Sequence, residues 1–535
     1  MDESESDVVI IGAGHNGLVC AFYLARAGFD VVILERAAVV GGAAVTEEFH
    51  PGFRNSVASY TVSLLAPRII ADMQLGDRGL RIVPRPIANF VPQLDGPGLE
   101  LHHDAARTRA AIAAHSRRDA ERYADFAAEL AGITRFVRST LLEAPLDPRG
   151  GWREWIRALG FAPRIRELLT TPGLAAAFWG VMTGSAGDWL DRWFATDVLK
   201  GALGFDAVVG HYASPYAPGS AYLLLHHALG ETNGVQGAWG HALGGMGAVT
   251  AAMAAAAQGA GARIRLGESV EKISRDSAGL TITTATGSEI RARVIGGAIH
   301  PQILFSRLIE PTDLPESFRE RIAGWRSESA SFRMNVALAE LPDFTCRPAA
   351  APGPHHGAGI LISPSLAYLD RAFADTHVSG HSRSPVIELL LPSTVDDSLA
   401  PRGAHVASLF CQHFPRELAD GRSWDEAKTG AVESIIDTVS AYAPNFRGAI
   451  LGMQALSPED LEERFGLIGG DIFHGQMTLD QLYWARPAMG HTSYRSPLRG
   501  VYLCAAGAHP GGGVSGAPGH NAAQAMLADL RAGRV

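Results

Sequence analysis

Apolar positions change their period twice between Asp7 and Glu35, and the changes predict three elements. Val8-Val9-Ile10-Ile11 is an unbroken run rich in β-branched residues, the pattern of a parallel strand buried on both faces. Leu18, Ala21, Phe22 and Ala25 then recur at helical spacing up to Gly28, a residue suited to the end of a helix. Val31-Val32-Ile33-Leu34 is a second continuous run and ends at Glu35. The stretch therefore predicts one strand–helix–strand unit.

Further along, the spacing predicts a helical region over 104–142, broken by Pro145, Pro148, Gly150 and Gly151. Residues 151–230 are rich in large aromatics, among them Trp152, Trp155, Phe178, Trp179, Trp189, Trp193 and Phe194. A helix over 248–257 precedes a strand at 263–266, and residues 280–295 alternate as a hairpin. Strands are predicted at 332–339, 386–391 and 405–411, and helices at 424–442 and 458–465, the second starting at Ser457. A final strand at 500–507 runs into a helix over 518–530.

The turn inside the first unit reads Gly12-x-Gly14-x-x-Gly17 with Asn16 between its last two glycines. In a dinucleotide-binding unit the first glycine permits a tight turn, the second lets a pyrophosphate approach the backbone, and the third lets helix and strand pack closely. The helix N-terminus adds free N–H groups and a positive dipole end. Glu35 follows eighteen residues after Gly17, where a carboxylate can accept hydrogen bonds from ribose hydroxyls. An acid there repels a 2′-phosphate and argues against NADP; the unit alone leaves FAD and NAD open.

Composition narrows the class. At 535 residues, 47% hydrophobic and 19% charged, the chain has room for more than one domain and no disordered block. A net charge of −9 without a basic run argues against nucleic-acid binding. Only Lys200, Lys272 and Lys428 among the 46 basic residues are lysines, which we read with the alanine and glycine richness as the mark of a GC-rich bacterial genome. Cys20, Cys346, Cys411 and Cys504 form no CxxC pair, so a dithiol relay has no candidate and a reducing cytoplasm is expected. The acidic start, Met1 to Glu5, is unlike a targeting peptide, and no apolar run is long enough to span a bilayer. The aromatic cluster leaves three expectations open: helical core or subunit contact, the lining of an apolar substrate tunnel, or peripheral contact with a membrane.

Several motifs carry a more specific signal. Glu35-Arg36 followed by Gly41-Gly42-Ala43 resembles the ER-(x)n-GG extension of the FAD-binding amine oxidase and phytoene desaturase group, whose paired glycines pass beneath the flavin side of the cofactor. The continuation through Phe53, the Ser59-Tyr60-Thr61 and Leu64-Leu65 pairs, and the stretches Gly469–Gln476 and Asp480–Leu482 are similar to the subgroup called pyridine nucleotide-disulfide oxidoreductase domain-containing protein 2. Gly244–Gly247 and Val270 resemble the segments used around the adenine, where a backbone contact at Val270 is implied. Gly507, His509, Gly513, Val514 and Gly516 lie in a close that resembles the phytoene desaturase motif past the ribityl chain and ring, with Ala505-Ala506-Gly507 in place of the commoner GAG.

The resemblance implies an α/β fold: a Rossmann-type FAD-binding domain of the glutathione reductase and amine oxidase kind, with an inserted α+β substrate domain and a helical cap. The expected division is 1–103, 236–300 and 486–535 for FAD, 104–235 for the cap and 301–485 for the substrate domain. It further implies two-electron dehydrogenation of an apolar or amphipathic small molecule, with hydride passing to flavin N5 and oxygen, quinone or NAD(P) as final acceptor. His474, Gln476 and His509 are the candidate catalytic groups because they sit in the flavin-side motifs; a histidine can take a proton near neutral pH, and the plainer alternative is a histidine fixing a loop. The adjacent pairs His102-His103, His226-His227 and His355-His356 lack metal-ligand spacing, and no metal is expected. Two other functions stay open: redox-neutral isomerisation of a polyene, recognised by a product of unchanged mass formed only after pre-reduction, and a flavin-binding scaffold that acts through a protein partner, recognised by a stable complex without turnover.

Overall fold

A computed structural model describes residues 4–147, 151–277, 279–348 and 351–535. The first unit folds as its pattern predicts: β1 (Glu5–Ile11), α1 (His15–Arg26) and β2 (Val31–Glu35). Four later strands join them, β3 (Arg263–Leu266), β4 (Val270–Asp276), β5 (Gly279–Thr284) and β6 (Glu289–Gly297), and the sheet is completed by β7 (Val501–Leu503). The order is β3-β2-β1-β6-β5-β4, with β7 beside β6. β1, β2, β3, β6 and β7 run parallel, and β4 and β5 form an antiparallel extension through the predicted hairpin. In the middle strand Val8, Val9, Ile10 and Ile11 are all buried, which explains why that run has no polar alternation.

α1 packs against α2 (Met246–Gly259) and α3 (Ala517–Arg531), so three distant stretches of chain meet over one sheet. The approach of α3 is close enough to require a glycine: a Cβ on Gly519 would stand 2.1 Å from the carbonyl oxygen of Asn16. Gly17 meets the same requirement on the other side, where a Cβ would lie 2.0 Å from the Gly12 oxygen. Gly12 itself turns through φ +98°, a conformation that favours glycine.

A second seven-stranded sheet runs in the order 450–456, 331–338, 405–412, 386–390, 359–362, 89–91, 99–101. Its alternation is two-sided. Phe332, Met334 and Val336 face the helix Trp424–Tyr442 in a core with Leu409, Cys411, Ile435 and Val439. Arg333 and Asn335, one residue out of phase, point to the opposite face. The two strands at 89–101 correct the expected boundary at residue 103, because they hydrogen-bond into this sheet and not into the dinucleotide-binding one. Gly240–Ala242 likewise pairs with Ile82–Pro84, away from the first sheet.

The predicted helical region is two helices, Ala105–Ala113 and Arg117–Arg138, divided where Ser116 caps the second by accepting from the Asp119 N–H. Ser457 also caps as expected, sharing a reciprocal box with Asp460. The aromatic cluster splits: Trp189 and Phe194 are buried with Phe126, whereas Trp152, Trp155 and Trp179 are exposed. No helix among the described residues is long and apolar enough to cross a membrane. Because no side chain fits between α3 and α1, Gly519→Ala is expected to lower unfolding free energy by about 1–3 kcal/mol, read from urea titrations; an unchanged midpoint would show that the helices separate freely.

Candidate active site

One cavity of about 440 Å³ runs between the two sheets and is lined from both ends of the chain. At one end lie Glu35, Arg36, Val270 and Phe465. The Glu35 carboxylate is held by two backbone donors, Ala13 N–H at 2.7 Å and Ala37 N–H at 2.9 Å. The Glu268 N–H donates to the Glu35 carbonyl at 2.9 Å, which brings the start of β4, and so Val270, beside the acid. Arg36 turns its guanidinium to the carbonyls of Glu463 and Arg464, closing this end.

Gly12, Gly14, Asn16, Gly41, Gly42 and Ala43 line the next part, beneath the N-terminus of α1. A Cβ on Gly14 would meet nothing within 4 Å, so this glycine faces open cavity, and its absent side chain is room for a ligand. The Asn16 side-chain oxygen is buried without a hydrogen-bond partner among the described residues. A backbone cradle at a helix N-terminus, an oriented carboxylate and a vacant polar atom together fit a dinucleotide diphosphate and its ribose. Gly513 and Val514 line the cavity further on with Ser59, Leu64, Ala505 and Ala506.

His474 lines the cavity near His15, and its ring lies 5.3 Å from that of His300. Its Nδ1 has no hydrogen-bond partner among the described residues, and burial, reinforced by the charge of Arg486 and by His15, pulls its pKa down to about 3. An imidazole so desolvated stays neutral at physiological pH and is a weak proton acceptor. Its neighbourhood is the α1 N-terminus, which fits a ligand-binding role better than a proton-accepting one.

The other candidates stand elsewhere. Gln476 does not line the cavity; its side-chain oxygen accepts from Arg326 Nε at 3.2 Å. His509 also lies off the cavity, buried, with Nε2 3.4 Å from the Thr140 carbonyl. Gly507 and Gly516 serve packing: a Cβ would lie 2.2 Å from Pro301 at the first and 2.9 Å from Ile69 at the second.

The motif around His474 is shaped by two buried charges that the sequence did not single out. Asp471 accepts from the N–H groups of Phe473 at 2.7 Å and Gly475 at 2.9 Å, folding the turn. Arg486 donates to the carbonyls of Phe473 at 2.7 Å, Ala506 at 2.8 Å and Gln481 at 3.0 Å, tying that turn to the end of the C-terminal strand. Burial lowers the Arg486 pKa only to about 10, so it stays cationic.

The far part of the cavity sets charged side chains among apolar walls. One register row of the second sheet, Leu361–Glu388–Phe410–Arg333, forms its floor. Glu388 pairs with Arg85 at 2.9 Å and accepts the hydroxyl of Tyr60. Arg333 sits 4.6 Å above the Tyr60 ring and donates to the Leu409 carbonyl and Ser408 hydroxyl, each at 2.8 Å. Asp206 lines the same space with no hydrogen-bond partner to its carboxyl among the described residues. Burial, then the charge of Glu388, raises its pKa to about 7, partly offset by Arg85. Among the described residues no cluster could hold a metal ion.

With this geometry in view the relatives decide the family. Residues 17–331 match the family described as flavin containing amine oxidoreductase. The chain belongs to that family. The chain is 41% identical to pyridine nucleotide-disulfide oxidoreductase domain-containing protein 2 of Rattus norvegicus over 98% of its own length and 94% of the rat protein's, in agreement with the subgroup motifs. It is 26% identical to a limonene dehydrogenase component from Castellaniella defragrans over 98% of the chain and 95% of that protein. A solved structure of putrescine oxidase bound to putrescine superposes with a TM-score of 0.57 at 15% identity, covering 99% of both chains, which is a likeness of fold. The chain is an FAD-dependent oxidoreductase of Rossmann type. Its relatives include mammalian and bacterial proteins, so composition alone does not give its source.

Gly14→Val fills the open cradle and is expected to yield protein without flavin, while Glu35→Ala weakens retention by about tenfold or more, both read as FAD released per chain on denaturation. Full flavin content in both would place the cofactor elsewhere. His474→Ala is expected to lower flavin content too; normal content with slowed reduction would return that histidine to the chemistry.

Proposed function

We propose that the chain dehydrogenates an amphipathic small molecule. FAD, once bound, supplies the redox half by taking a hydride at its N5. The observation that carries the substrate class is the cavity's far end, where Phe205, Val209, Leu361, Phe410 and Trp239 provide apolar walls around Arg85, Asp206 and Glu388. A wholly apolar substrate would leave the Asp206 carboxyl without a partner, whereas a polar group on the substrate can satisfy it. The limonene dehydrogenase component, named for a hydrocarbon substrate, supports the dehydrogenase half of this reading.

Arg85 and Tyr60 both bind the Glu388 carboxylate, which restrains all three, so they orient a substrate without moving. Asp206 is the group left free, and its pKa of about 7 matches the requirement of a base at neutral pH. In this reading the substrate C–H bond breaks with its electron pair leaving as hydride, the adjacent proton goes to the Asp206 carboxylate, and the remaining pair forms the double bond.

Anaerobic addition of amphipathic alcohols, amines and terpenoids to the holoprotein is expected to identify a substrate by bleaching of the flavin band near about 450 nm. The rate should rise with pH through about 7, because Asp206 accepts a proton only when ionised. Asp206→Asn should slow bleaching by about 10²–10⁴-fold and flatten that rise. An unaltered pH profile in this variant would remove Asp206 from the reaction, and product of unchanged mass would replace dehydrogenation with isomerisation.

A further inference from the structure

The helix Gly151–Thr170 turns its apolar side outward. Trp155 is 77% exposed, Leu159 72%, Leu169 69% and Ile156 57%, and Trp179 of the following helix, Leu174–Thr183, is 68% exposed. Positions 155, 156 and 159 fall on one stripe at helical spacing, and 169 extends it along the same side. No described residue of this helix is buried. A helix with this pattern ordinarily lays its stripe on the protein's own core; here the core side is covered by half-buried Arg157, Phe161 and Arg164 instead. Arg157 donates to the Ala144 carbonyl at 2.6 Å and Arg164 pairs with Glu143 at 2.6 Å, so the inner side of the helix is tied to the chain that precedes it.

The charge of the segment differs from that of the chain. Gly151–Thr170 contains Arg153, Arg157, Arg164 and Arg166 against Glu154 and Glu167, an excess of two positive charges (4 − 2) in a protein of net charge −9. Arg166 lies within the apolar stripe and is exposed, with no ion-pair partner among the described residues. In a symmetric dimer built on this face each copy would set its excess positive charge against the same charge on the other. An anionic bilayer offers two complements: headgroup depth for tryptophan rings and leucines, and phosphates for an arginine that reaches past them.

We propose that the 151–170 helix, with Trp179 beside it, is a monotopic membrane-docking face that seats the protein on anionic lipid.

Flotation of the FAD-loaded full chain with phosphatidylcholine vesicles, with and without phosphatidylglycerol, tests this. Binding is expected on the anionic vesicles and should weaken as salt rises. Trp155→Glu with Leu159→Glu should cut partitioning by about tenfold or more at unchanged flavin content, and Arg166→Ala should reduce the salt dependence. Absence of binding to either vesicle, or binding that the double variant leaves intact, would overturn the proposal. So would a wild-type dimer in sedimentation velocity that the double variant dissociates while vesicles recruit neither protein; that result would assign the face to a second copy.

Discussion

The site exists because two backbones approach each other where no side chain can stand. α1 begins under the cavity, and α3 reaches it only because Gly519 presents no Cβ to the Asn16 carbonyl. That contact carries Gly513 and Val514 to the same cavity that Gly41 and Gly42 line, more than four hundred residues away in sequence. The intervening chain is then free to build what lies beyond. Arg486 completes the closure by fastening the 473–475 turn to Ala506 through carbonyl oxygens alone, a use of arginine that depends on its donors and not on an ion pair.

Beyond that closure the second sheet supplies both wall and chemistry through the simplest rule of strands. Successive side chains alternate, so Phe332 and Met334 complete a core while Arg333 between them reaches the cavity. Register then brings Glu388, Phe410 and Arg333 side by side from three separate strands. Packing and recognition are therefore two faces of one sheet, and the polar row cannot slip by a residue without emptying the core.

Legibility in the sequence followed locality. The first unit could be read because strand, turn, helix and acid lie within one short stretch and each has a distinct pattern. Gly12, Gly14, Glu35 and Val270 line the cavity, and Gly17 packs against the Gly12 carbonyl. The polar row was missed because its members are far apart in sequence and meet only through strand register. A signal was nevertheless present: Arg333 and Glu388 each interrupt an apolar strand at a position that alternation turns away from the core. Their motifs alone point to His474, Gln476 and His509, but the turn around Asp471 sends the first toward α1 and the second toward Arg326. The aromatic cluster could not be resolved by composition, because whether a tryptophan faces core or solvent depends on which side of its helix is tied down.

The central claim is that one FAD lies along the cavity from Glu35 and Val270 to Gly513 and Val514, leaving the Arg85–Asp206–Glu388 end free for substrate. Difference density from crystals of the flavin-loaded protein tests it most directly. The account predicts adenine beside Val270, diphosphate over Gly14, and a flavin ring whose substrate face opens toward Asp206. A ring lying across Glu388 and Arg85, or density for the diphosphate away from the α1 N-terminus, would contradict it.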